Sequence, residues 1–265
     1  MFRYCLLLKI VPTILLAIEP HFVVLVCSYN NAKYCQRNVT SIFEQTYPHF
    51  RAIYIDDASK DGTLLKVKQL YNLYKPKCRF RFVENKTNRG CMENTYFAIH
   101  QCLDREIVVI LDGDDWFAHK DVLLHLSKYY QNQNVWLTYG QYREYPSMKI
   151  GLCAECDTTA DVRKLPWTTS HLKSFYAFLF KKIKKSDLMR KGKFISVTSD
   201  QAFMLPMLEM AKDRCRFISE VLYIYNKANV MGDHQKKAKE QLEMKQYIRS
   251  LPAYPKMSHC IQPAY

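Results

Sequence analysis

Four short apolar runs, at residues 21–27, 50–55, 78–83 and 106–111, alternate with stretches of helical periodicity at about 32–45, 61–73 and 91–101. This alternation constrains the chain more than any other feature. Runs of six or seven residues rich in Val, Ile and Phe are too short for a buried helix and have the length of strands. Strands alternating with helices predict an α/β sheet wound with crossover helices.

In such a sheet, ligands bind at the carboxyl ends of the strands, where loops vary without disturbing the core. Three runs end in polar or acidic loops: Ser28-Tyr29-Asn30-Asn31, Asp56-Asp57 and Asp112-Gly113-Asp114-Asp115. Two carboxylates one residue apart, Asp112 and Asp114, suit a hard divalent cation, Mn2+ or Mg2+, that also takes diphosphate oxygens. The competing reading is an acidic turn capping a helix that starts near Lys120. A carboxylate ending the second run can accept the imide N3–H of uracil, a donor that cytosine lacks, and so favours a uridine nucleotide. Ser59 and Asp61, in the same loop, read instead as a turn and a helix N-cap.

Composition narrows the classes. At 265 residues and 48% hydrophobic the chain builds a sizeable core. A formal net charge of +14 draws anions. The cations are scattered, without zinc-finger or RRM spacing, so a nucleic-acid partner is not expected. Only seven glycines occur, and none forms a phosphate-binding loop after the first run, which argues against a sugar nucleotidyltransferase. Of the ten cysteines, Cys27 and Cys102 read as core thiols. Cys153 and Cys156 have CxxC spacing but no second pair at zinc-site distance, and read as plain loop thiols.

Taken together, Val24 to Asn31, Tyr54 to Thr63, Asn88-Arg89-Gly90 and Leu111 to Asp115 stand in the order found in family 2 glycosyltransferases, and the chain resembles that family over about residues 21–240. The resemblance implies a GT-A type α/β fold, a Rossmann-like mixed sheet flanked by helices with a C-terminal acceptor-binding portion. It implies an inverting, metal-dependent transfer of a sugar from a nucleotide-sugar donor, UDP-linked above all, to a glycan, lipid or protein acceptor. Asp57 is similar to the family's uracil-binding aspartate. Ser28 and Tyr29 lie in its first nucleotide-binding loop, and Arg89 resembles the arginine that closes over the nucleotide. Asp114 resembles the metal-binding carboxylate, with Asp112 and Asp115 beside it for sugar, ribose or metal contacts.

The second half is less patterned. The resemblance implies a catalytic base at Asp200, where the family's Glu-Asp pair is replaced by Ser199-Asp200. Helix capping is the plain alternative there. Trp167 and His171 combine an aromatic platform with a polar ring suited to a sugar acceptor. His234, after Gly232-Asp233, resembles a further metal or diphosphate contact. The expected divisions are an apolar leader at 1–20, a nucleotide-sugar half at 21–140, an acceptor half at 141–235 and a helical tail at 236–265. The leader leaves open a signal peptide or anchor, and so a cytoplasmic or a membrane-associated protein. The charged stretch 236–245 reads as solvated or as a peripheral membrane contact. The rival to an enzyme is a non-catalytic nucleotide-sugar or glycan-binding protein on the same fold.

Overall fold

The computed structural model describes residues 19–229 and 238–258. Eight strands form one mixed sheet in the order β3-β2-β1-β4-β7-β6-β10-β5. The first four are β1 (Phe22–Ser28), β2 (Phe50–Asp56), β3 (Arg79–Glu84) and β4 (Ile107–Asp112), all parallel. They are joined by α1 (Cys35–Phe43), α2 (Thr63–Tyr74) and α3 (Cys91–His100). After β4 come β5 (Trp116–Phe117), α4 (Val122–Tyr130), β6 (Leu137–Tyr145), β7 (Lys173–Tyr176) and α5 (Ala177–Lys181). A small hairpin of β8 (Met189–Arg190) and β9 (Lys193–Phe194) precedes α6 (Ser199–Ala211), β10 (Cys215–Asn226) and α7 (Ala238–Ser250).

Residues on β1 show why the strand runs are continuously apolar. Val23 and Leu25 enter a core that includes α3, α5 and α6, whereas Phe22, Val24 and Val26 enter a second core under α1, α2 and α4. A strand covered on both faces has no solvent side, so period-two alternation disappears from its sequence. β1 is paired with β2 on one side and β4 on the other. It is therefore the point at which the winding reverses, the place where such sheets leave a crevice at their carboxyl edge.

The sheet crosses the expected division at residue 140, which falls inside β6; β7, β6 and β10 continue the same sheet as β1 to β4. The helix expected from Ala32 starts at Cys35, because Ala32 is held in the loop: its N–H donates to Asp61 Oδ2 (2.9 Å) and its carbonyl accepts Lys66 Nζ (3.0 Å). The charged α7 is not wholly solvated. Met244 and Ile248 are buried on the core of α6, and Arg249 donates to the carbonyl of Leu165 (2.8 Å). Among the described residues no helix is long and apolar enough to cross a membrane. The apolar leader, apart from Glu19 and Pro20, lies outside them.

Candidate functional site

Three loops meet at the carboxyl edge of β2, β1 and β4, in that spatial order. The β1 loop is tied to the β2 loop throughout. Asn30 N–H donates to Ser59 Oγ (2.9 Å), Lys60 N–H to Asn30 Oδ1 (2.9 Å) and Asn31 N–H to Thr63 Oγ1 (2.8 Å). Asp61 accepts both Ala32 N–H and Thr63 N–H, so Ser59 and Asp61 belong to a turn that ties the two loops, while the N-cap expected of this turn falls on Gly62. Ser28 is buried, with its hydroxyl accepting Asn31 Nδ2 (3.2 Å), and Tyr29 beside it is exposed.

Asp57 is only 4% exposed, and its carboxylate is gripped from the next loop. Oδ1 accepts Arg89 N–H (2.9 Å) and the Asn85 amide (2.7 Å), and Oδ2 accepts Gly90 N–H (2.8 Å). A carboxylate offers roughly four acceptor positions, so three donors leave about one for a ligand. The Asn-Arg-Gly motif therefore fixes Asp57: Arg89 and Gly90 act through backbone N–H, the Asn88 side chain donates to the Asp57 carbonyl (3.3 Å), and Gly90 supplies the positive φ of 84° before α3. The Arg89 guanidinium is half exposed and lies 3.7 Å from Glu93.

The β4 loop is pressed against β1. A Cβ on Gly113 would sit 2.6 Å from Ser28 Cβ and Oγ and 2.8 Å from its Cα. Only glycine fits between the two aspartates without moving one loop. Asp112 and Asp114 are half-buried, and Asp114 Oδ2 accepts Asn229 Nδ2 (2.7 Å). The helix-cap reading of this loop fails, since β5 intervenes before α4 begins at Val122.

Asp115 is turned inward. At 1% exposure, its Oδ2 accepts the Tyr223 hydroxyl (2.6 Å) and its Oδ1 the Asn226 N–H (2.7 Å), both from β10. Burial, then the neighbouring Asp114 and Asp112 charges, push its pKa well above the ordinary value. The contact with sugar, ribose or metal expected of Asp115 gives way to a tether that draws β10 under the loop. Asn38 of α1 completes it, donating to the carbonyls of Asp112 (2.9 Å) and Asp115 (2.7 Å).

His171 joins this assembly from the second half. Its ring stacks on Tyr223 (centroids 4.4 Å apart, 12°) and on Tyr225 (5.4 Å, 18°), and Lys173 Nζ lies 3.3 Å from its Nδ1. Trp167 is half-buried against the core around α6, and among the described residues no hydrogen bond ties it to the acidic loop. Asp200 is the second residue of α6, half-buried, with Oδ1 accepting Gln201 N–H (2.9 Å); it is not the N-cap, which is Thr198. His234 lies outside the described residues. Cys102 is a core thiol, and Cys27, half-buried, packs against the same core with its thiol 3.7 Å from Thr95 Oγ1. Cys153 and Cys156 are free thiols.

Among the described residues no three His, Cys, Asp or Glu side chains converge on one point. Asp112 and Asp114 remain as a pair of oxygen donors. That fits Mg2+ or Mn2+, which are commonly held by one or two carboxylates and completed by substrate phosphate and water, and does not fit a closed structural metal. The residues that sequence reasoning passes over are Asn38, Asn85, Tyr223, Asn226 and Asn229. Asn38 had a signal: it lies three residues from Cys35 on the buried stripe of α1, where an amide has to find partners.

The sequence profile of glycosyl transferase family 2 matches residues 23–188. An uncharacterized glycosyltransferase of Haemophilus influenzae is 28% identical over 144 residues, 54% of this chain and 43% of that protein. The putative teichuronic acid biosynthesis glycosyltransferase TuaG of Bacillus subtilis is 30% identical over 102 residues, 38% of this chain and 39% of that protein. The chain thus spans less than half the length of either relative. Among solved structures, S. aureus TarS 1-349 in complex with UDP superposes with a TM-score of 0.65 at 19% identity, covering 86% of this chain and 64% of that one. The mannosyltransferase PcManGT of Pyrobaculum calidifontis, in complex with GDP-Man and Mn2+, gives 0.61 at 22% identity, covering 89% and 66%. These likenesses establish the GT-A fold.

Proposed function

The chain belongs to glycosyl transferase family 2, and from that premise we propose that it moves a sugar from a UDP-sugar to an acceptor hydroxyl with inversion at the anomeric carbon. The observation that carries the reading is the pairing of a gripped carboxylate, Asp57, with the Asp112/Asp114 loop on opposite sides of β1. Uracil would lie on the Asp57 side, its N3–H donating to the acceptor position that the loop leaves open. The diphosphate would lie toward Asp112 and Asp114. These two residues would hold Mn2+ or Mg2+, which when bound neutralises charge on the departing diphosphate. The UDP and UDP-GlcNAc complexes of TarS and the GDP-Man and Mn2+ complex of PcManGT are consistent with such a donor site.

Asp200 is the base in this proposal: its carboxylate takes the acceptor proton while the oxygen attacks the face opposite the leaving group. His171, stacked on Tyr223 and Tyr225, lines the acceptor side. Arg89 covers the nucleotide through its exposed guanidinium.

The test is release of nucleotide from a panel of UDP- and GDP-sugars by the full chain, with Mn2+ and with EDTA. Metal-dependent UDP release from one donor supports the reading and identifies the sugar. Asp200→Asn is expected to bind donor normally and lose transfer, and Asp114→Ala to lose metal-dependent donor binding as well. Normal transfer by Asp200→Asn places the base elsewhere. Nucleotide binding with no turnover on any donor and acceptor favours the non-catalytic alternative.

A further inference from the structure

The cations are not evenly scattered, contrary to the expectation from sequence: residues 181–193 carry seven lysines and arginines against one carboxylate, Asp187. The structure places them at the end of α5, in the turn of 3-10 helix at Lys185–Leu188 and on the β8–β9 hairpin. Among the described residues Asp187 is ion-paired with none of them: its Oδ2 accepts the Tyr254 hydroxyl (2.7 Å) and its Oδ1 the Ser186 hydroxyl (3.0 Å), so its single charge offsets one of the seven at most. Lys181 is taken by Asp104 (2.7 Å). Lys182, Lys184, Lys185, Lys191 and Lys193 are exposed, and among the described residues none of the five is ion-paired with a carboxylate.

Apolar side chains share this surface. Lys185 Nζ lies over the rings of Tyr96, Phe97 and Phe194 at 5.6, 5.8 and 5.4 Å. Phe97 is 42% exposed and Leu103 is 58% exposed, the latter next to the Lys181–Asp104 pair. Exposed lysines around exposed apolar groups are the composition of a bilayer-interface surface: the cations meet anionic headgroups and the apolar side chains enter the acyl boundary. A hydrated polyanion would use the lysines and gain little from Leu103 or Phe97.

We propose that this face docks on an anionic phospholipid bilayer. The β8–β9 hairpin on that face leads into α6 through residues 195–198, so docking would hold the start of α6 and Asp200 near acceptors carried in the membrane. Only that last step rests on the transferase reading; the docking itself does not.

The experiment is co-sedimentation of the full chain with phosphatidylcholine vesicles and with phosphatidylglycerol-rich vesicles, at low and high salt. Each lysine near an anionic surface contributes about fivefold to partitioning. Lys184→Gln/Lys191→Gln/Lys193→Gln is therefore expected to lose about 10²-fold of the preference for anionic vesicles. Lys75→Gln/Lys77→Gln/Arg79→Gln, an equal charge loss around the start of β3, is expected to lose far less. Phe97→Ser is expected to weaken binding at high salt, where screening leaves the apolar part. Equal losses from the two triple variants, or no preference for anionic vesicles, overturn the proposal. So does capture by a soluble anionic polysaccharide that vesicles do not compete, which would point to a polyanion partner. Melting temperature and UDP-sugar hydrolysis in solution, both expected unchanged in the first triple variant, separate loss of docking from loss of fold. Absence of hydrolysis in the unaltered chain would sink the transferase reading and leave docking standing.

Discussion

Gly113→Ala is the sharpest probe of how the acidic loop is positioned. The new methyl would lie 2.6 Å from Ser28 Cβ and Oγ, about 0.8 Å inside the 3.4 Å at which ordinary van der Waals contact begins. Neither partner is the end of a flexible chain. The Ser28 Cα is itself only 2.8 Å away, and Ser28 is hydrogen-bonded in the sheet edge through its carbonyl to Asp57 N–H (2.8 Å). The loop carrying Asp112 and Asp114 has to lift by nearly an ångström. Overpacking of this kind costs about 1–3 kcal/mol of stability. A misplacement of about 1 Å at a reacting centre costs on the order of 10²-fold in rate. The assay is kcat/KM for UDP-sugar turnover beside a thermal melt. The expected result is a fall of about 10²-fold with a folded protein. Ser28→Gly in the same chain relieves the clash with the serine side chain but not the one with its backbone, so it should recover part of the loss. Full activity in Gly113→Ala would refute the idea that packing against β1 sets the position of the carboxylates.

Other outcomes follow from the same geometry. Asp57→Asn replaces one acceptor oxygen by an NH2 that in either orientation faces a donor, Gly90 N–H at one position or Arg89 N–H and the Asn85 amide at the other, so donor binding should fall and about 1–3 kcal/mol of stability be lost. Titration calorimetry with UDP and a denaturant melt check both. Tyr223→Phe removes the hydroxyl that donates to buried Asp115 and should cost about 1–3 kcal/mol, with kcat/KM falling more than nucleotide affinity; an unchanged melt would refute the tether. Glu106, just before β4, reaches past the start of β1 to Arg51 of β2, and although burial opposes ionisation, the Arg51 hydrogen bonds hold its pKa below the ordinary 4.5. A depressed acid stabilises the fold fully above about 4.5 and loses that contribution as pH falls through its folded value. Melts against pH should therefore show the advantage of the native chain over Arg51→Gln shrinking below pH about 4.5 and constant above it.

The site divides into a part written locally and a part written in pairs. Each strand run, the acidic loop and the Asp57 loop is contained in a few consecutive residues, so apolar runs and turn chemistry reveal them one by one, and the resemblance to family 2 follows from their order. The grip on these loops depends on partners far away in the chain: Asn38 with Asp115, Asn85 with Asp57, Asn229 with Asp114. Each such partner is an amide or hydroxyl whose composition signal equals that of any surface loop, and only the sheet order brings them together. Tyr223 shows the consequence best. In sequence it is one aromatic in an apolar strand, while in the fold its hydroxyl accepts Asp112 N–H (3.3 Å) and donates to Asp115, and its ring carries His171. Asp115 illustrates the reverse error. A third aspartate beside a cation-binding pair looks like one more ligand, yet a carboxylate at 1% exposure with both oxygens occupied serves the backbone behind the site. Counting acids in a loop therefore overstates its ligands. The number available to a ligand is set by which of them the neighbouring strand consumes: β10 takes both oxygens of Asp115 but meets the Asp112 carboxylate through a 3.3 Å contact from Tyr223, leaving Asp112 and Asp114 as the half-buried pair.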